Sequence, residues 1–292
     1  MSNIVCFGEI LWDVFPTHKK IGGAPLNVAL RLRSFGNEVT IISSVGNDKD
    51  GSELIKFIKE KGILYKEVQV SDTYKTGCVK VALDNNGSAT YDIEFPCAWD
   101  YIELHKSSVD IVKNSDAFIY GSLICRNDMS KSTLQELLKF ARFKVFDINL
   151  RVPHYNMTQL EELMNDADFI KFNDEELIEI CEHLNYKYED IEDAIRFIAK
   201  TTRTNNICVT LGGDGALLFK DDNIFKSLGY KVTVKDTVGA GDSFLATLIN
   251  KLLSNIHPQE SLEYACAIGA LVASKDGANP NIKTVEVKSL MG

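Results

Sequence analysis

Positive charge is scarce in this sequence: 32 Lys and Arg stand against 41 Asp and Glu, a formal net charge of −9. A chain whose main partner was nucleic acid or an anionic membrane would need a basic surface, so no nucleic-acid and no membrane partner is expected. A small anionic ligand needs only a local positive field and stays open. No apolar run approaches the length of a membrane span. The start, MSNIVCFGEI, lacks a basic n-region and a long apolar h-region. The sequence therefore predicts no secretory leader and a cytoplasmic location. The seven cysteines form no CxxC and sit mostly in apolar runs, which reads as buried thiols. The five histidines show neither HExxH nor HxH spacing, so no zinc site is expected. GxxxxGK[ST] is absent, which excludes a P-loop. No GxGxxG follows the first strand and there is no GxSxG, which argue against a dinucleotide fold and a nucleophile elbow.

What is present is an alternation of short apolar runs with amphipathic stretches. The 292 residues, 45% hydrophobic and 25% charged, are ample for a large core. The alternation predicts β-α units and a mostly parallel sheet. Strands are expected at 4–8, 39–45, 117–121, 144–148, 168–172 and 207–211. Val28, Leu32 and Phe35 share one helical face, as do Leu134, Leu137, Leu138 and Ala141. Two helices, about 241–254 and 259–274, close the chain. One region breaks the rhythm: from Tyr74 to Phe95, alternation in CVKVALD, then NNG, then SATYDIEF, reads as a β-hairpin. EILWDVFP (9–16) is a candidate partner for it.

Five motifs carry chemistry. DTVGAGDSF (236–244) follows a strand-like YKVTV and opens a helix. Backbone N–H groups of Gly239, Ala240, Gly241 and Asp242 would favour an anion there, and Asp242 could take a proton beside it. The plainer alternative is a capped helix with an acid in its first turn. IGGAPLNVAL (21–30) pairs a free backbone at Gly22 and Gly23 with the amide of Asn27, or is an ordinary loop-to-helix start. FDINLR (146–151) places Asp147, Asn149 and Arg151 in alternation at a strand end, where open α/β sheets bind ligands. In KFNDEE (171–176), Asn173 and Glu176 lie one turn apart and suit hydrated Mg²⁺, or simply cap a helix. VTLGGDGALLF (209–219) is a hairpin turn or a floor for a nucleotide.

In this order the motifs resemble the ribokinase-like, or phosphofructokinase B, family of carbohydrate kinases. GGAPLNVAL matches its N-terminal signature and DTVGAGDSF its C-terminal one, and the likeness runs from the first strand to GANP at 277–280. It implies a three-layer α/β/α ribokinase-like fold with a central, mostly parallel sheet. It implies one kinase domain over 1–292, with a small β lid formed by about 9–18 and 74–97. The implied reaction is transfer of the ATP γ-phosphate to a sugar hydroxyl. By position, Asp242 would be the general base, and Gly239, Ala240 and Gly241 the anion hole. Asp13, Gly22, Gly23 and Asn27 would hold the sugar, with Arg151 near sugar or phosphate. Asn173 and Glu176 would organise Mg²⁺ through water. Thr210, Gly212, Gly213 and Gly215 would line the ATP site, with Asn279 near the adenine. Part of the family also uses a monovalent cation such as K⁺ beside the anion hole.

The GEILWDVFP start and the GGAP form are most similar to bacterial fructokinases, which implies D-fructose as substrate. Leu26, where many of them have alanine, and the lid segment EFPCAWD depart from that pattern and keep other sugars and nucleosides open. A silent sugar-binding regulator is the alternative from another class. A homodimer through the lid strands is expected, because exposed strand edges tend to be paired.

Overall fold

The computed structural model describes residues 1–83 and 89–292. A large sheet contains, in chain order, β1 (Asn3–Phe7), β4 (Glu38–Gly46), β5 (Val68–Ser71), β8 (Ala117–Gly121), β9 (Lys144–Asp147), β10 (Phe169–Asn173), β11 (Asn206–Thr210), β12 (Ala216–Lys220) and β13 (Asn223–Ser227). Its spatial order is β13-β12-β11-β10-β9-β8-β1-β4-β5. Seven strands run parallel, and β12 and β13 turn back antiparallel at one edge. All six expected strands are present within a residue or so of their expected ends, because buried parallel strands read as near-continuous apolar runs.

Side-chain alternation divides the core into two halves. Val5, Phe7, Phe118, Phe146, Ile170 and Phe172 face one side. There they meet α4 (Asp128–Leu138), α5 (Met157–Asp166), α6 (Asp174–His183) and α7 (Ile191–Thr202). Ile4, Cys6, Ile119, Val145 and Cys208 face the other. They meet α1 (Ala24–Ser34), α2 (Lys49–Glu60), α8 (Ala240–Leu253) and α9 (Pro258–Ala273). The result is the expected three-layer α/β/α arrangement. The cysteines are all free. Among the described residues no helix is long and apolar enough to cross a membrane.

A second sheet has four strands in the order β3-β2-β6-β7: β2 (Leu11–Val14), β3 (Lys19–Gly22), β6 (Gly77–Leu83) and β7 (Ala89–Ile93). The expected hairpin is the antiparallel β6–β7 pair, and β2 joins it in parallel. The NNG turn at 85–87 lies outside the described residues. The base of this sheet is tied down on both sides. Asp48 accepts hydrogen bonds from the backbone N–H of Thr76 (2.9 Å) and from its hydroxyl (2.7 Å). Arg126 donates to the Glu94 carbonyl (2.6 Å) and forms a buried ion pair with Asp100.

Two expectations are corrected. Tyr230–Val234 is not a strand. The chain there runs past the end of α9, where the backbone N–H groups of Lys235 and Asp236 both donate to the Ala273 carbonyl, and Val234 is 60% exposed. The triplet of FDINLR does not alternate on a strand either. β9 stops at Asp147, and Asn149 turns the chain with φ +40°. Asn is one of the few non-glycine residues that tolerate this region.

Candidate active site

The centre of the site is made where α1 and α8 begin. Gly239 caps α8 with φ +76°, and a side chain there would meet Ala278 at 2.6 Å. Glycine is therefore required both by conformation and by space. The first turn that follows carries Gly241 and Asp242. Their N–H groups lie at a helix start, where no intrahelical partner exists for them. The Ala240 N–H instead turns back onto the Thr237 carbonyl at 3.2 Å.

α1 starts at Gly23, with φ +106°, and a side chain there would strike the Glu9 carbonyl. A side chain at Gly22 would collide with the Asp13 carboxylate. Gly22 thus makes room for the Asp13 carboxylate, and Gly23 for the backbone at Glu9 and Ile10. One turn into α1, Asn27 donates from Nδ2 to Asp242 Oδ2 at 2.8 Å, and its Oδ1 accepts from Asn279 Nδ2 at 2.7 Å. Three expected site residues, far apart in sequence, form one chain of hydrogen bonds. Arg31, buried one turn further along, donates to the Ser243 hydroxyl (3.1 Å) and to the Pro280 carbonyl (3.0 Å). It fixes α8 and the 277–280 loop to α1.

The electrostatics are those of a crowded acidic pocket. Burial, and then the negative charge of Asp147, push Asp242 up to about 6, against the pull of Asn27, Lys171 and Arg151. Burial alone lifts Asp13 to about 6, with Lys20 and Arg151 opposing it. Glu9 rises to about 7 through burial, helped by Asp242 and opposed by Arg151 and backbone donors. Glu9, Asp147 and Asn149 line one narrow recess of about 20 Å³. The positive charge at the centre is Lys171, buried on β10 and paired with Asp147 at 2.9 Å. Burial would favour the neutral amine, but Asp147, Glu176 and Asp242 reverse that and raise its pKa. A side chain added at Gly241 would lie 3.6 Å from the Lys171 ammonium, so the ammonium sits beside the anion loop.

Asn173 and Glu176 form a reciprocal capping box at the start of α6. Asn173 Oδ1 accepts from the Glu176 N–H (2.7 Å), and Glu176 Oε2 from the Asn173 N–H (2.8 Å). Glu176 Oε1 accepts from the Leu150 N–H (2.9 Å). Every donor oxygen already holds a backbone hydrogen. Among the described residues there is also no cluster of three or more His, Cys, Asp or Glu able to hold a metal. The pair therefore caps α6, as the plainer reading had it, and each oxygen keeps a second lone pair with which it could accept from a metal-bound water. Arg151 is exposed, donates to the Leu150 carbonyl (3.0 Å), and is close enough to act on Glu9, Asp13 and Asp242.

The glycine turn between β11 and β12 is a hairpin, as one of the two readings had it. Thr210 donates to the Phe172 carbonyl at 3.3 Å. Gly215, φ +100°, is demanded by the backbone at Ser227 and Gly229. Added side chains at Gly212 and Gly213 would meet nothing within 4 Å, so these two form an open surface.

Sequence reasoning missed Lys171, Glu9 and Arg31. The signal existed for the first two. Lys171 interrupts the apolar strand DFIKF and Glu9 follows directly on β1, and a charge buried in such a place must be partnered. Arg31 lies in an amphipathic helix, where an arginine ordinarily reads as solvent-facing.

With this geometry in view, the class is set by family. Residues 1–285 match the pfkB family carbohydrate kinases, and the chain belongs to that family. Among curated relatives it is 27% identical to fructokinase-1 of Oryza sativa subsp. japonica, over 99% of this chain and 97% of that one. It is 27% identical to the ribokinase of Dictyostelium discoideum, over 94% and 96%. Among solved structures it is similar to the ATP-bound fructokinase of Xylella fastidiosa, with TM-score 0.87, 23% identity, and 100% and 98% of the two chains covered. It is also similar to a double mutant of the Vibrio cholerae O395 fructokinase with fructose, ADP and potassium ion bound, with TM-score 0.85, 22% identity, and coverage of 100% and 99%.

Proposed function

We propose that this carbohydrate kinase transfers the γ-phosphate of ATP to a hydroxyl of D-fructose, giving fructose 6-phosphate, with Asp242 as general base. The observation that carries the reading is the placement of Asp242. It is a carboxylate in the first turn of α8, next to free helix-start N–H groups and held by Asn27. The hydroxyl proton passes to Asp242 as the oxygen attacks the γ-phosphorus, and the bond from that phosphorus to the bridging oxygen breaks to release ADP. A pKa near 6 leaves the base mostly ionised at neutral pH, yet strong enough to accept a proton as the bond forms.

The chemistry is mainly positioning and charge stabilisation. The N–H groups of Gly241 and Asp242, with the Lys171 ammonium beside them, face the phosphoryl group as its charge develops. Asp13, Glu9 and Asn27 hold sugar hydroxyls, with Gly22 and Gly23 letting Asp13 and the Glu9 backbone come close to the start of α1. Gly212, Gly213 and Thr210 carry the nucleotide. Asn173 and Glu176 would hold Mg²⁺ through water, and the ion would supply neutralisation of phosphate charge there. The four-stranded sheet acts as a lid that excludes water from the reaction. Of the two departures that left the sugar open, Leu26 is fully buried among core side chains and meets no solvent, which leaves the lid segment EFPCAWD as the better candidate for sugar choice.

The test is ADP release with MgATP against fructose, ribose, glucose, mannose, adenosine and 2-keto-3-deoxygluconate. Strongest turnover with fructose supports the reading. Strongest turnover with another acceptor moves the specificity and keeps the mechanism. Sugar binding without turnover, with any of them, sinks the kinase mechanism.

A further inference from the structure

We propose that Asn279 is a positioning residue that sets the orientation of the Asn27 amide and through it the strength of Asp242 as a base. The inference rests on the kinase reading above. An ionised carboxylate can only accept hydrogen bonds, so Asn27 must turn its NH₂ toward Asp242. The Asn27 carbonyl oxygen then points the other way and needs a donor. Asn279 Nδ2 supplies it at 2.7 Å. One N–H of the Asn279 amide is thereby engaged by Asn27, while among the described residues its second N–H and its Oδ1 stay free for the adenine contact that the family resemblance implies.

The loop that carries Asn279 is itself fixed. Arg31 donates to the Pro280 carbonyl on one side (3.0 Å), and the Gly277 N–H donates to Asp236 Oδ2 on the other (3.1 Å). Ala278 packs against Gly239 at the head of the anion loop. The groups that set the charge around Asp242 come from four places: Asp147 on β9, Lys171 on β10, Arg151 after β9 and Glu9 after β1. None of them touches the Asn279 amide in a hydrogen bond, so an uncharged replacement alters the relay and leaves the charges around Asp242 as they are.

The diagnostic change is Asn279→Asp. A carboxylate accepts and cannot donate, so Asn27 is drawn to turn its NH₂ toward position 279 and its carbonyl oxygen toward Asp242. Asp242 loses its donor and faces a negative dipole. Its protonation midpoint, read from the acid limb of kcat/KM, moves up by about one pH unit, a tenfold loss of rate on that limb. Asn279→Leu removes the donor without adding a charge and raises the midpoint too, which separates the relay from the repulsion of an added carboxylate. Asn279→Ser keeps a donor and leaves the limb near its wild-type position. Asn279 is exposed, so all three variants are expected to fold. Titration of the Asp242 carboxyl by ¹³C NMR in the substrate-free protein reads the same midpoint without turnover.

A raised midpoint in both Asn279→Asp and Asn279→Leu, with little change in Asn279→Ser, supports the relay; a midpoint raised in Asn279→Asp alone comes from its added charge and overturns it. An unmoved midpoint with a uniform loss of rate, or a raised KM for ATP alone, overturns it and leaves Asn279 a loop or nucleotide contact. If instead the wild type itself shows no turnover with any sugar, the kinase reading beneath has failed, and the ¹³C titration of the Asn279 variants still decides the relay.

Discussion

Asn27 and Asp242 stand 215 residues apart in the chain, yet the amide of one donates to the carboxylate of the other at 2.8 Å. Two helix starts, both made by glycines with positive φ, have been brought face to face. The bond favours the ionised form of Asp242 in a pocket where burial and Asp147 favour the neutral one. That balance is the source of the first three predictions.

Asp242→Asn removes the base and keeps the shape and the hydrogen bond. We expect kcat to fall roughly 10²–10⁴-fold with sugar binding retained. Steady-state kinetics beside calorimetric titration of the sugar would check this. An unchanged kcat would remove Asp242 from the chemistry.

The pH profile follows from the same residue. Asp242 must be ionised to accept a proton, and its pKa is near 6. The rate is therefore expected to rise from acid pH with a midpoint near 6 and to level off above about 7. A midpoint near 4, where an ordinary aspartate titrates, would contradict the description of the pocket.

Function here costs stability. The folded-state pKa of Asp242, about 6, lies above its ordinary value of 3.8. The folded protein therefore holds the proton more tightly than the unfolded chain does. The stability this gives is present below pH 3.8 and is lost as the pH rises through 6. Removing the charge should stabilise the protein at pH 8, by roughly 1–2 kcal/mol because Asp242 is only partly shielded from solvent. Urea unfolding of wild type and Asp242→Asn at pH 8 would show it. An Asn variant less stable than wild type at pH 8 would refute it.

The second sheet is legible in part because turns and alternation are local signals. The β6–β7 pair is written in CVKVALD and SATYDIEF, and β2 in the run beside it. β3, KKIG, carries no apolar alternation and was not expected; it is a strand because β2 offers it an edge. YKVTV alternates as a strand should, but it pairs with no strand and runs past the end of α9. The glycine-rich helix starts could be read directly, since glycine at positive φ leaves a mark in composition. Lys171 and Glu9 leave a mark as charges in apolar surroundings, but that mark does not name their partners, and the Asn279 relay leaves none. Their meaning lies in which buried charges meet, and chain spacing does not encode that.

Gly239→Ala tests the helix start. The new methyl group would meet Ala278 at 2.6 Å, on a backbone with φ +76°. A loss of about 1–3 kcal/mol in stability is expected, with a larger fall in kcat than in sugar affinity. Thermal unfolding and kinetics of the variant would measure both; a neutral substitution would show that the loop is not held as described.

Arg126→Ala breaks the buried pair with Asp100 at the base of the second sheet. Leaving a buried carboxylate unpaired should cost about 3–5 kcal/mol. Chemical denaturation would register it, and a change below about 1 kcal/mol would mean that the pair contributes little.

The central claim is a transfer of phosphate from ATP to fructose that depends on Asp242. It is tested most directly by ³¹P NMR of fructose and MgATP incubated with wild type and with Asp242→Asn. The account predicts a sugar phosphomonoester signal and ADP growing together with wild type, and neither with the variant. ADP and free phosphate without a sugar phosphate, or equal product from the two proteins, would contradict it.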